Sequence, residues 1–301
     1  MLVSCAVYVS SGLASVASRV AAAAAAVPRV AVVDTFTDVA YARSSVKLVA
    51  EPQQLLHAAE AAAAAALEVV DLSAEVHPAP HPRQGAVDMV SFMPLTERCV
   101  DAIRHEIEKC DELAWALGQR MGEVHGVPVL MYGPRAGRTL LVARRGTSFF
   151  RSTKADSARQ PTASLALDFG EGAMSPRADA AEPMLLPPRT GASVIGVQPY
   201  VTNFNVQVDG ATLEGCKQAA AALRSEMGVQ VMALPHAGGS HEIGCNLQAA
   251  EHEDSPNREA VLAFLRGKLP PSCDIPRAYV VGLTPDEARS RAEELLRPAG
   301  G

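Results

Sequence analysis

The stretch His81-Pro82-Arg83-Gln84-Gly85-Ala86-Val87-Asp88, running into Met89-Val90-Ser91-Phe92-Met93-Pro94-Leu95, decides how this chain is read. Its first part gathers a titratable imidazole, a fixed cation and a carboxylate in one short turn. Its second part reads as a strand. Pro82 restricts the backbone and Gly85 frees it, so the polar groups meet in a defined geometry. A histidine exchanges a proton near neutrality, which group transfer to or from an amine requires. Read locally, the same residues also make a plain strand-entry turn with a solvated histidine and an Arg83–Asp88 pair. The local sequence alone favours that plainer reading.

Upstream, β-branched runs predict strands at 2–9, 30–35, 46–49 and 87–93, with helices over 13–25 and from Pro52 onward. A long helix is expected after Thr96, with Val100, Ile103, Ile107, Cys110, Ala114, Leu117 and Met121 on one face. Cys110 lies in that stripe and reads as core. Val127–Met131 is a further short strand. Residues 133–189 are rich in Arg, Ser, Gly and Pro and predict a long connection with little regular structure.

From Ala192 the earlier order returns. Extended segments are expected at 193–200, 203–208, 229–234, 242–247 and 278–281, with helices over 213–227 and from about Asn257 to Leu265. The first of these helices stops at Gly228, and the last helix of the chain starts at Thr284-Pro285-Asp286-Glu287, a capping box. Two units of similar element order predict an α+β fold of two α/β sandwich subdomains, divided at 1–180 and 181–301.

The chain has 301 residues, 48% of them hydrophobic, and a net charge of −6. That length suits two domains with their own cores, and mild acidity argues against nucleic acid as a partner. Six cysteines without a CxxC read as reduced, mostly buried thiols. No run of about 18 apolar residues is present to span a bilayer. The first 33 residues lack acids and resemble a transit peptide in composition, but a strand at 2–9 followed by a helix is the preferred reading.

His77 and His81 stand four apart, yet Pro78, Pro80 and Pro82 forbid the helix that would make them metal ligands. His81 is better read as a general acid or base. Arg83 is a candidate to hold an anionic group, and Asp88 to fix the turn or Arg83. His236 and His241 flank a tight hairpin and read as its decoration. Ser240 and His241, adjacent in a strand, point to opposite faces and make no nucleophile pair.

With these residues in place, the chain resembles the formiminotransferase family over nearly its whole length. The family motif HPRxGxxD, followed by a strand ending in proline, is met without gaps by His81 through Asp88 and Pro94. Arg43, Val127-Pro128, Tyr132-Gly133, Asp168-Phe169-Gly170, Asn203, Asn205 and Asn246-Leu247 also look familial. Cys5-Ala6-Val7-Tyr8-Val9-Ser10, Asp38-Val39-Ala40-Tyr41-Ala42-Arg43 and Thr284-Pro285-Asp286 are similar to the plant and algal branch. This likeness begins at Leu2, which supports a strand there.

The resemblance implies two βαββαβ-type subdomains, sheets facing each other and helices outside, with folate held between. It implies transfer of a formimino group from N-formiminoglutamate to tetrahydrofolate, the co-substrate, without a metal. His81 matches the catalytic histidine and His77 the histidine paired with it. Arg83 and Arg43 are candidates for substrate carboxylates, and Asp168, Phe169, Gly170, Asn203 and Asn246 for folate contacts. The chain departs from the family in three places. Pro78-Ala79-Pro80 replaces Lys-Gly-Glu between the histidines, and Tyr8 and Ser11 replace an asparagine and an acid. A transferase is therefore expected, with a non-catalytic folate-binding protein as the alternative. The expected setting is cytoplasmic, with organelle import left open. The partners are small molecules rather than nucleic acid or membrane, and a homodimer stays open.

Overall fold

The computed structural model describes residues 1–74, 83–95, 100–147, 161–170, 184–248 and 257–297, giving the backbone alone over 100–104. The first half lays down β1 (Val3–Val9), α1 (Ala14–Ala25), β2 (Val30–Asp38), β3 (Arg43–Ala50), α2 (Pro52–Val69) and β4 (Val87–Pro94). Pro52 sits in the first turn of α2, where its missing N–H costs nothing. Leu55, Ala58, Ala59, Ala62, Ala63 and Ala66 then recur at helical spacing and are all buried. Their small side chains let α1 and α2 pack closely together. α3 (Val100–Glu123) buries Cys110, Ala114, Leu117 and Met121 in the same core, as the stripe predicts.

The connection after β5 (Val129–Tyr132) holds more structure than expected. It carries the helix α4 (Leu140–Arg145) and a short pairing of β6 (Thr162–Ala163) with β7 (Met184–Leu185). Thr139 caps α4 by accepting from the Val142 amide, a local signal the Arg-rich composition concealed. β8 (Ser193–Val197) follows. A division after residue 180 assigns it to the second half, but it lies between β4 and β5 and runs parallel to both. Every residue of β8 is buried, the condition of an interior parallel strand. The first sheet has the order β2-β3-β1-β4-β8-β5.

The second half runs β9 (Val201–Asp209), α5 (Leu213–Met227), β10 (Gln230–Pro235), β11 (His241–Gln248), α6 (Arg258–Lys268), β12 (Asp274–Val281) and α7 (Pro285–Leu295). Thr212 and Asn257 cap α5 and α6 through their side chains, and Gly228 ends α5 at φ 68°. The expected capping box of Thr284 and Glu287 starts α7. The second sheet is antiparallel, in the order β10-β11-β9-β12.

Each sheet sends one set of side chains to its helices. Val3, Cys5, Val7 and Val9 do so in β1, and Phe204, Val206 and Val208 in β9. The alternate residues point the other way, and there the two sheets face each other. Tyr41 of the first half meets Glu242 of the second, and Lys47 of β3 stands 5.2 Å from the centroid of the Tyr200 ring. The fold is α+β, two sandwiches with sheets face to face and helices outside. α7 is the exception. Its Ala288 and Ala292 pack on Ala6, Ala31 and Val49, the inner face of the first sheet. Cys5, Cys110, Cys216 and Cys245 are buried free thiols, and burial raises that of Cys110 to about 12. Among the described residues no helix is long and apolar enough to cross a membrane.

Candidate functional site

The turn that enters β4 is tied down from both sides by backbone hydrogen bonds. The Ser10 amide donates to Ala86 O at 3.0 Å and its hydroxyl to Gly85 O at 2.7 Å. From the other side, Ala86 N donates to Thr190 O at 2.8 Å and Ala192 N to Gln84 O at 3.1 Å. Gly85 is required because a Cβ there would lie 2.3 Å from Ala192 O and 2.8 Å from Thr190 O, both rigid backbone. Gly85→Ala is expected to destabilise the protein by about 1–3 kcal/mol through overpacking. A urea midpoint equal to wild type would show that the turn yields without cost.

Asp88 holds the interior of this turn. Its Oδ1 accepts from the Gln84 amide at 2.6 Å, and its Oδ2 pairs with Arg43 Nη1 at 2.5 Å. Both side chains are nearly closed to water, at 4% and 11% exposed. Burial by itself would raise the carboxyl. The charges of Arg43 and Arg144 and the bond from Gln84 outweigh it and hold Asp88 below its ordinary value. Burial lowers Arg144 in turn, with Asp88 opposing. Arg144 also anchors the turn through its carbonyl, which accepts from Gln84 Nε2 at 2.7 Å. The plain reading paired Asp88 with Arg83; the structure gives it Arg43 instead. Arg83 is 3% exposed and its Nη2 lies 3.5 Å from Leu72 O.

Arg43 reaches Asp88 from a constrained turn. Ala42 before it has φ 49°, and the Tyr41 amide donates to Asp38 Oδ1 at 2.9 Å. From this end a polar line crosses the inner face of the first sheet. Asp34, Lys47, Ala6, Ser91, Gly196 and Tyr132 are cross-strand neighbours in that order. Gly196 leaves room for the Tyr132 ring, whose hydroxyl shares a 2.6 Å hydrogen bond with Ser91 Oγ. Gln198 Nε2 donates to the same Oγ at 2.9 Å. Tyr8, beside this line, is pushed up to about 12 by burial.

The facing wall is the polar side of the second sheet, where Asn203, Asn205, Gln207 and Asn246 stay half-exposed. Asn203 Nδ2 donates to Asn246 Oδ1 at 2.8 Å. Glu242, 2% exposed, is the hub beside them. It accepts from Asn205 Nδ2 at 2.8 Å, from the Tyr279 hydroxyl at 2.7 Å and from the Tyr41 hydroxyl at 3.3 Å. The ring of His236 meets that of Tyr41 edge-on at 5.4 Å.

The nominated residues thus fall into separate groups. Arg43 and Arg83 bracket the turn at 83–88. Asn203 and Asn246 pair on the opposite wall. Asp168, Phe169 and Gly170 lie on the free edge of β5, where Val129 N donates to Phe169 O at 3.0 Å. There Asp168 accepts from the Met131 amide at 2.8 Å and from Arg138 Nη2 at 2.6 Å, and Phe169 packs edge-on against Trp115 of α3. His77 and His81 lie outside the described residues. Sequence reasoning missed Glu242, Tyr279, Arg144 and Lys47, whose partners are distant in the chain. The one signal available for Glu242 was an acid at a strand position otherwise read as hairpin decoration.

Fold and site together define a two-subdomain α/β sandwich protein with polar sheet faces opposed. A family model, the formiminotransferase domain, N-terminal subdomain, matches residues 2–198, and the chain belongs to that family. A glutamate formimidoyltransferase of Thermoplasma acidophilum is 29% identical over 214 residues, 70% of this chain and 63% of that protein. A formiminotransferase cyclodeaminase-like protein of Arabidopsis thaliana is 27% identical over 311 residues, 98% of both chains. A formimidoyltransferase-cyclodeaminase of Sus scrofa is 31% identical over 169 residues, 55% of this chain and 27% of that protein. The chain therefore spans less than two thirds of the Thermoplasma relative and about a quarter of the pig one.

Proposed function

We propose that this chain binds a reduced folate between its sheets and moves a formimino group from N-formiminoglutamate to N5 of tetrahydrofolate. The observation that carries the reading is the gapless HPRxGxxD sequence in a chain of this family, whose described residues 83–88 are set on a buried Arg43–Asp88 pair. In the transfer, N5 bonds to the formimino carbon and loses a proton, while the bond from that carbon to the glutamate nitrogen breaks. That nitrogen leaves with a proton. His81 takes the first proton and returns it to the departing nitrogen, a task suited to an imidazole near neutral pH. In this reading Arg83, Arg43 and His77 are assigned to substrate binding, and Asn203, Asn246 and the Asp168-Phe169-Gly170 segment to folate.

The test compares transfer by wild type and His81→Ala, with a loss of about a hundredfold or more expected for removal of a general acid/base. Equal rates would overturn the role of His81. A second reading, folate binding without transfer, is favoured by Pro78-Ala79-Pro80 in place of the family's Lys-Gly-Glu. Calorimetry with tetrahydrofolate, run beside the assay, separates the two. Heat without turnover supports the second reading, and no heat rejects both.

A further inference from the structure

Both substrates of the proposed reaction are glutamyl compounds, so the facing walls should offer a cation whose N–H groups can meet a carboxylate. Arg43 has turned to Asp88, and Arg83 is 3% exposed. Arg277 differs from both. It lies on β12 opposite Gln207, on the inner polar face of the second sheet, and is exposed to solvent. Its guanidinium carbon stands 3.8 Å from the centroid of the Tyr279 ring, and it has no hydrogen-bond or ion-pair partner among the described residues. A guanidinium stacked on a ring keeps its N–H edge open, the geometry a carboxylate meets with two parallel bonds.

The platform beneath it is built rather than incidental. The Tyr279 hydroxyl is bound to buried Glu242, which Asn205 and Tyr41 hold from two further sides. Gly244 stands opposite Asn205 in the ladder, and a Cβ there would lie 3.3 Å from Asn205 Oδ1, so its absence leaves the Asn205 amide room to reach Glu242. Tyr41 comes from the other subdomain, so the platform is complete only where the two sheets meet. Pre-ordering of this kind lowers the entropy lost when a ligand binds.

We infer that Arg277, seated on Tyr279, recognises a glutamyl carboxylate of the ligand bound between the sheets. The inference rests on the folate-binding reading above. The carboxylate has two sources, the glutamyl end of the folate and the glutamate of the one-carbon donor.

Calorimetric titration of wild type and Arg277→Gln with tetrahydrofolate, a carboxylate-free tetrahydropterin and N-formiminoglutamate distinguishes them. Loss of one charge-assisted contact should weaken the carboxylate ligand about tenfold to a hundredfold, with the tetrahydropterin unaffected. Weakening confined to tetrahydrofolate assigns the folate end, and weakening confined to N-formiminoglutamate assigns the donor. Tyr279→Phe, which keeps the ring and loses the bond to Glu242, should shift the same ligand in the same direction by a smaller factor. Equal affinities in wild type and Arg277→Gln overturn the inference and leave the folate reading standing. So does an equal loss for the tetrahydropterin, which marks general damage. If wild type binds none of the three, the proposed function falls and the inference falls with it.

Discussion

Asp88→Asn should lower the stability of the folded chain by about 3–5 kcal/mol, the range seen when one partner of a buried ion pair is removed. The asparagine keeps the shape and can still accept from the Gln84 amide. It leaves the Arg43 guanidinium, 11% exposed, beside a neutral group. The cost is then mostly that of a buried charge stripped of its counter-ion. The same pair gives the wild type a pH signature. The folded Asp88 carboxyl titrates below its unfolded value, so on acidification the unfolded chain takes up this proton first. Its contribution is complete above the unfolded value of about 3.9 and is lost as pH falls from there through the folded value. Urea midpoints should therefore fall more steeply with acid in wild type than in Asp88→Asn. A variant within a few tenths of a kcal/mol of wild type at neutral pH would show that the pair is not what holds the turn.

Local physics made much of the fold legible. Thr284, Pro285 and Glu287 announce a helix start within one turn of chain, and Gly228 announces an end, because capping depends on residues that are sequence neighbours. The stripe containing Cys110 was legible for the same reason. Pairing between distant strands was not. Ser193–Val197 carries no mark saying which sheet it joins, and only its insertion between β4 and β5 assigns it. The sequence at 81–88 offered Arg83 as the partner of Asp88 because Arg83 is close in sequence. The carboxylate instead took a guanidinium from the start of β3, 45 residues earlier. Glu242 was still less legible, since its hydroxyl donors come from Tyr41 and Tyr279 at opposite ends of the chain. What the sequence concealed is what contact between residues distant in the chain creates, within the first sheet as well as between the subdomains.

Lys47→Met should act in the opposite direction, stabilising the protein by about 1–3 kcal/mol, the cost of holding a buried polar group without a hydrogen bond. Lys47 is 2% exposed, and its Nζ has no hydrogen-bond partner among the described residues. It stands 5.2 Å from the centroid of the Tyr200 ring, a contact worth about 0.5–2 kcal/mol. Asp34 is its cross-strand neighbour, with an Oδ2 that is likewise without a bond among the described residues. Gly282 packs between them, where a Cβ would lie 2.9 Å from Nζ and 3.2 Å from Oδ2. Burial pulls the lysine below its ordinary value, with Asp34 only partly opposing, and burial raises Asp34 against the pull of Lys47 and Arg291. A base depressed on folding binds fewer protons folded than unfolded, so its contribution grows as pH rises and is complete above the unfolded lysine value of about 10.4. Wild type should therefore gain stability between neutral pH and that value, and Lys47→Met should lack this part of the gain. Methionine fills the stem's volume and sheds the ammonium that no hydrogen bond satisfies, and Asp34, already raised by burial, takes up a proton more readily once the charge of Lys47 is gone. Urea unfolding of both proteins at neutral and alkaline pH reads out the sign. A less stable Lys47→Met would mean that Tyr200 and Asp34 return more than burial of the amine costs, and the buried lysine would then count as a stabilising feature of the inner face.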